Sequence, residues 1–483
     1  MGLLGILLGL GLLVWLAFRG WSVLGLAPIA ALVAAAFAGD PLLANWTQTF
    51  MGAAAAFIAQ FFPLFLLGAL FGKLMDDSGS VTAIAHFMTE RLGPHRAILA
   101  VVLAGALVTY GGVSVFVAMF VLAPMGQALF RAADVPNRLL PAAVMLGTAT
   151  FTMSALPGTP AIQNAIPMPF FGTTPFAAPG LGVMAAAIML GFGLWWLTRA
   201  ESAARRAGEG FAPALGSASQ AAHDPVVRER ATASHEFDPA EVEHGARSAQ
   251  LPGFGVALLP LVVVITVNLT MSLLVLPRLD TSYLAELRWG ETSLASVGGV
   301  WSVIVALAAA IVVLYLCNRG RLLALRETVD AGLNASALPV LSVASLVGFG
   351  AVVASLPAFA AVRDWVLGIE GGPLVGLALA TNVLSALTGS ASGGLTIALG
   401  ALGETYMQLA AAHGIDPALM HRVAVIGAAT LDSLPHNGAV VTLLAVCGAT
   451  HRQSYLDIVM VAIVGALLAL AAVIAVGSTV GSF

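Results

Sequence analysis

Residues 97–130 read AILAVVLAGALVTYGGVSVFVAMFVLAPMGQALF, an apolar run broken at its centre by Thr109-Tyr-Gly-Gly-Val-Ser114. Backbone inside a bilayer must satisfy its own hydrogen bonds, so an irregular stretch is tolerated there only where it faces protein or a wet cavity. The run therefore reads as a re-entrant hairpin, two helical arms that enter and leave on one side with the break as their tip. Three other apolar runs carry breaks: 139–164 at Ser154-Ala-Leu-Pro-Gly-Thr-Pro160, 373–403 at Thr388-Gly-Ser-Ala-Ser-Gly-Gly394, and 422–447 at Asp432-Ser-Leu-Pro-His-Asn-Gly438. Unbroken runs at 3–18, 21–39, 50–73, 179–198, 254–276, 294–316, 336–361 and 455–480 complete the set. Lengths of about 17–25 residues suffice to cross a bilayer as a helix.

The breaks come in related pairs. Gly93-Pro94 corresponds to Gly372-Pro373 and Thr109 to Thr388, both at an offset of 279, and Leu156-Pro157 corresponds to Leu434-Pro435 at 278. Duplication accounts for three matches in register within one residue. If 97–130 and 373–403 are both re-entrant, each half makes five crossings. An odd number inverts the second half relative to the first. With the N-terminus outside, all but four of the 20 lysines and arginines face the cytoplasm, the four being Arg278, Arg288, Arg363 and Arg422. That is the direction of the positive-inside rule. The expected fold is thus an all-α membrane protein of two inverted repeats, residues 1–198 and 253–483, each with five crossings, one re-entrant hairpin and a broken helix at the midplane. Both termini are expected outside and the linker 199–252 in the cytoplasm.

Composition agrees with a membrane environment. Hydrophobic residues make up 59% and charged residues 9%, with a mean hydropathy of +0.96, whereas soluble domains carry about 25% charged residues. The net charge of −4 is small and no basic stripe suggests nucleic acid. Cys317 and Cys447 lie far apart, which argues against a disulfide framework or a cysteine-rich metal site; neither metal nor cofactor is expected. Gly2–Phe18 lacks the basic flank and small-residue cleavage site of a signal peptide and reads as the first span. The linker changes character completely, with many charged residues, Ala, Ser and Gly, and reads as a solvated tether without chemistry of its own.

Broken helices leave free N–H groups and positive dipole ends near the midplane, which suit an anionic group of a bound solute. The candidate binding residues of the first half are Thr109, Gly111, Gly112 and Ser114 at the tip, with Ser154, Gly158, Thr159, Gln163 and Asn164 at and after the break. In the second half they are Thr388, Ser390, Ser392 and Gly393 at the tip and Asn437 at the break. Small hydroxyl residues also pack helices closely, but four such clusters at repeat-related places point to binding. Asp432 is the charged residue set deep within an apolar run, and His436 follows it by four. An intramembrane carboxylate is a functional hypothesis in itself, and the pair reads as a proton-coupling site. The alternative is a structural hydrogen bond that holds the broken helix open. Lys73, Asp76 and Asp77, at the end of a span, read as solvated or snorkelling charges, with a gating or scaffold salt bridge as the alternative. Val81–Leu92 is expected to form an interfacial helix, mirrored by Ala358–Leu367.

The stretches Phe65-Leu-Leu-Gly-Ala-Leu-Phe-Gly-Lys-Leu-Met-Asp-Asp-Ser-Gly79, Thr109-Tyr-Gly-Gly-Val-Ser-Val-Phe116 and Ala155-Leu-Pro-Gly-Thr-Pro-Ala-Ile-Gln-Asn164 resemble the gluconate permease (GntP) family of bacterial proton symporters. The resemblance runs over both membrane halves and leaves the linker uncovered. It implies inner-membrane uptake of gluconate or a related hydroxy acid such as 3-hydroxybutyrate. It also implies kinship with a superfamily of homodimers in which hairpins and broken helices move as an elevator against a scaffold. The first-half motifs look more like the branch that handles short hydroxy acids, and the linker is longer than expected of the sugar-acid members. The expected activity is proton-coupled symport of a small hydroxycarboxylate. The alternatives are a sodium-coupled carrier on the same scaffold, a passive channel, and an intramembrane hydrolase using Ser390 or Ser392 with His436.

Overall fold

The computed structural model describes residues 2–19, 21–212, 238, 241, 244–361, 364 and 371–483, and every regular element among them is helical. Half of the interfacial helix expected at 358–367 lies outside these residues, as do Arg228, Arg230 and Arg363 and the middle of the linker. The first half runs α1 (Gly2–Phe18), α2 (Val23–Ala38), α3 (Leu42–Asp77), α4 (Ser80–Leu92), α5 (Ala97–Tyr110), α6 (Val115–Ala133), α7 (Leu140–Thr148), three short pieces α8 (Phe151–Ser154), α9 (Ile162–Ala165) and α10 (Pro167–Phe171), and α11 (Pro179–Arg206). The second half runs α12 (Phe254–Arg278), α13 (Leu294–Asn318), α14 (Leu325–Ser355), α15 (Pro373–Thr388), α16 (Ala391–His413), α17 (Pro417–Leu431), α18 (Gly438–Val446) and α19 (His451–Val480). Seven of these are continuous helices long and apolar enough to cross a membrane: α3, α6, α11, α12, α13, α14 and α19.

Local sequence explains the interruptions. Gly93 takes φ +67°, a conformation that side chains other than glycine rarely adopt, and Pro94 cannot continue the helix before it. The chain turns by 103° there, from α4 into α5. The run 97–130 is split into α5 and α6, which pack on each other across Gly111–Ser114, and 373–403 is split likewise into α15 and α16. The run 422–447 is split at Asp432–Asn437 into α17 and α18. Two helices outgrow their apolar runs. α14 starts at Leu325 with Arg326, Glu327 and Asp330 in its first turns, and α11 continues through Arg205 and Arg206.

Helix pairings in one half have counterparts in the other. α1 packs on α2 as α12 packs on α13; α5 packs on α7 as α15 packs on α17. α2 lies against α14 and α13 against α3, while α3 and α14 share the most extensive crossing in the molecule. Glycine makes two of these contacts possible. A Cβ at Gly147 in α7 would collide with the carbonyl oxygen of Val102 in α5, and one at Gly427 in α17 would collide with Oγ1 of Thr381 in α15. Backbone cannot yield as a threonine side chain can. Gly147→Ala should therefore lower the melting point in detergent more than Gly427→Ala, at a cost of about 1–3 kcal/mol for overpacking. Equal shifts would mean that the α5–α7 contact is not pinned by backbone.

The charges at the end of α3 are not solvated, which corrects the first reading of Lys73, Asp76 and Asp77 in favour of its alternative, a salt bridge. All three are buried. Lys73 Nζ lies 2.9 Å from Asp77 Oδ1, and Thr328 of α14 donates to Asp77 Oδ2 at 2.6 Å. Arg247, from the end of the linker, reaches Asp76 Oδ2 at 3.0 Å, and the Ser248 amide donates to the Asp77 carbonyl at 2.8 Å. The cause is tertiary: α14 extends past the end of α3, and the chain at 244–252 folds over what would otherwise be an exposed helix end.

Candidate functional site

The first-half tip is held by its own break. Tyr110 at the end of α5 donates its hydroxyl to the Pro157 carbonyl at 2.8 Å, and Gly112 packs against Pro160. Thr109 Oγ1 donates to the Gly105 carbonyl at 2.9 Å and lies 3.4 Å from that of Gly147. Gly111 lies directly beneath Leu261 of α12, where no side chain would fit. Ser114 caps α6, its Oγ accepting from the Phe116 amide at 3.3 Å. An N-cap of this kind satisfies one orphan N–H of a helix start and leaves others free.

The break itself is rigidly framed. Gly158 takes φ +80°, its amide donates to the Pro175 carbonyl at 2.8 Å, and its carbonyl accepts from Asn268 of α12 at 3.0 Å. Ser154 Oγ donates to the Thr150 carbonyl at 3.0 Å, and Thr159 Oγ1 accepts from the Ala161 amide. Asn164 Nδ2 donates to the carbonyls of Thr159 and Pro175, both at 3.1 Å. Gln163 is buried with its Oε1 unpartnered. Tip and break enclose a cavity lined by Phe65 and Gly68 of α3, Thr109, Gly112, Ser114, Met153, Ile162 and Leu307 of α13. Of the nine first-half candidates, Thr109, Gly112 and Ser114 line this cavity. Gly111, Ser154, Gly158, Thr159, Gln163 and Asn164 stand outside its lining.

The second half repeats the arrangement with different chemistry. Asn437 donates Nδ2 to the Gly389 carbonyl at 2.8 Å, and its Oδ1 caps α18 by accepting from the Ala439 amide at 2.7 Å. His436 Nε2 lies 3.1 Å from the Ala386 carbonyl, so this break too is fastened to its hairpin. Ser390 caps α16, its Oγ accepting from the Gly393 amide at 3.0 Å and lying 3.2 Å from Ser392 Oγ. Thr388 Oγ1 donates to the Leu384 carbonyl at 2.8 Å, and Gly393 packs under Leu346 of α14. Asp432 is half-buried at the C-terminal end of α17, and its Oδ1 accepts from Ser433 Oγ at 3.2 Å.

Two residues missed in the sequence tie the halves together. His421 and Arg422, in the second turn of α17, are both fully buried. Neither is exposed at the helix end, although both stand at the edge of an apolar run. His421 Nδ1 lies 2.6 Å from Thr173 Oγ1 and Nε2 lies 3.1 Å from Asn164 Oδ1. Because Asn164 Nδ2 already donates twice, its Oδ1 is an acceptor, which places the imidazole proton on Nε2. Arg422 donates Nη1 to the Ser154 carbonyl at 3.1 Å and Nη2 to the Ala177 carbonyl at 2.6 Å. One helix thus carries Asp432 at one end and grips the first-half break at the other.

The model of a family described as GntP family permease matches residues 1–170. An uncharacterized transporter of Bacillus subtilis (strain 168), YxjC, is 40% identical over the whole of both chains. The high-affinity gluconate transporter of Escherichia coli (strain K12) is 31% identical over 162 residues, which cover 33% of this chain and 35% of that one.

Proposed function

The chain belongs to the GntP family of permeases and is a multi-pass membrane transporter, and from that premise we infer that it takes up a small hydroxycarboxylate, of gluconate or 3-hydroxybutyrate type, together with protons. The observation that carries this reading is the pairing of each hairpin tip with its own broken helix, uncharged in the first half and bearing Asp432 in the second. The two halves are inverted repeats. Matching helix pairings and the glycines at 147 and 427, one residue from the 279 offset, support that relation. Residues 1–198 and 253–483 are the repeats, and 199–252 joins them on the cytoplasmic side of a bacterial inner membrane, with both termini periplasmic.

Substrate binds between tips and breaks. The hydroxyls of Thr109, Ser114, Thr388, Ser390 and Ser392, the Asn437 amide, and the close backbone at Gly112 and Gly393 supply the partners, while Gly111, Ser154, Gly158, Thr159, Gln163 and Asn164 frame the first-half break behind them. Asp432, with His436 beside the second tip, takes a proton on one side and releases it on the other. Hairpins and broken helices move as one body against α2, α3, α13 and α14. The grip of α17 on the first-half break supports such a body, and the scaffold pairs with that of a second copy of the chain. Sodium coupling is favoured by one observation: Asn382 Oδ1 and Ser385 Oγ on α15 are buried oxygens without a partner, the kind a cation would use. Replacing sodium by choline in the transport assay separates the two.

A ligand that binds the folded state raises its stability by about 2.7 kcal/mol at a hundred times its Kd. Gluconate or 3-hydroxybutyrate should therefore raise the melting point of purified protein, and citrate and succinate should not. A shift with neither hydroxy acid would count against the substrate class.

A further inference from the structure

We propose that Arg422 supplies the fixed positive charge that makes the first-half cavity an anion site, with the carboxylate of the transported acid as the counter-ion it lacks. The proposal rests on the carboxylate-uptake reading above. Arg422 leads the largest fully buried side chains of the protein. Its guanidinium donates to two backbone carbonyls, Nε has no partner, and no carboxylate pairs with it among the described residues. Carbonyl dipoles solvate a guanidinium but leave its charge in place, and an uncompensated charge in a low-dielectric interior is costly. A binding protein can carry such a cost when the ligand brings the opposite charge.

The location fits that role. Met153 lines the cavity, and the carbonyl of the next residue, Ser154, takes Nη1, so the guanidinium is fastened one residue along the chain from the wall. The wall also holds the hydroxyls of Thr109 and Ser114 and the start of α6, a 19-residue helix whose free N–H groups and dipole favour an anion. No acidic side chain lines the cavity among the described residues. In so apolar a surrounding the charge acts over the thickness of the wall with little screening. Arg422 is therefore a positioning residue for the carboxylate and acts through its field.

A purely structural clamp gives a different signature. Clamping needs the forked donors of arginine, whereas the field needs only the charge. Arg422→Gln keeps amide donors and removes the charge; Arg422→Lys keeps the charge and removes the fork. Full-length protein in detergent would be titrated with gluconate and 3-hydroxybutyrate, and with the neutral amide of each. Wild type should prefer acid to amide by about tenfold or more, the scale of a charge acting across a low-dielectric wall rather than in contact. Arg422→Lys should keep that preference and Arg422→Gln should lose it, even if both melt lower. An Arg422→Gln protein that still prefers the acid would overturn the assignment. So would a wild type that binds acid and amide equally, a result that needs no variant. A wild type that binds neither form would instead bring down the carboxylate reading and this inference with it.

Discussion

In proteoliposomes with an inward-directed pH gradient, Asp432→Asn is expected to abolish uphill accumulation of the transported acid while exchange across the membrane continues. Asp432 ends α17 beside the second hairpin, half-buried, with Ser433 Oγ as its hydrogen-bond partner. Asparagine matches a protonated carboxyl in shape and can neither take up nor release the coupling proton. Substrate still enters and leaves, but the gradient has nothing to act on. With one proton per acid, each pH unit should sustain about a tenfold accumulation in the wild type, since about 1.4 kcal/mol is a factor of ten. The variant should settle at the equilibrium ratio. If Asp432→Asn accumulated substrate as the wild type does, coupling would belong elsewhere and His436 would be the next residue to test.

The largest effect on stability is expected from Lys73→Met. The lysine is 1% exposed and its partner Asp77 is fully buried, with Asp76 beside them. Removing the ammonium leaves two adjacent buried carboxylates with Arg247 as the remaining cation in ion-pair contact. Breaking a buried pair from one side costs about 3–5 kcal/mol. Asp77→Asn should cost less, because Thr328 can still bond the side chain and the lysine retains Asp76 nearby. The double variant Lys73→Met with Asp77→Leu should recover part of the loss, since no unpaired charge is created at position 77. Denaturant unfolding of these proteins together with the single Asp77→Leu variant closes the cycle and gives the coupling energy. A loss below about 1 kcal/mol for Lys73→Met would place the pair with weak surface ion pairs and contradict its burial.

Much of the architecture was legible because a bilayer makes irregular backbone conspicuous. Thr109–Ser114 and Thr388–Gly394 stand out within apolar runs, and both runs divide there into packed helical arms. Gly93-Pro94, read in the sequence only as one of the repeat-related pairs, is the site of a bend of 103°. Burial of charge was not legible, because it depends on distant segments. Lys73 and Asp77 look like a helix end until α14 and the linker's last residues cover them. Arg422 and His421 sit where an apolar run begins, and nothing local says that Ser154, Asn164 and Ala177 will surround them. Asn268, which holds the Gly158 carbonyl, reads as a single polar residue in an apolar helix. The candidate site was read at the level of segments. Which side chains line the cavity depends on how the chain turns through 149–161, a stretch without periodicity. Thr109, Gly112 and Ser114 therefore face the cavity while Gln163 and Asn164 fall behind it.

The central claim is that a proton gradient drives a hydroxycarboxylate across this fold. Its most direct test is uptake of labelled gluconate and 3-hydroxybutyrate by wild-type proteoliposomes in sodium-free choline buffer, with and without an inward pH gradient. The account predicts accumulation above the external concentration for at least one acid, collapsing when a protonophore removes the gradient. Uptake that requires sodium, or that only ever equilibrates, would contradict it.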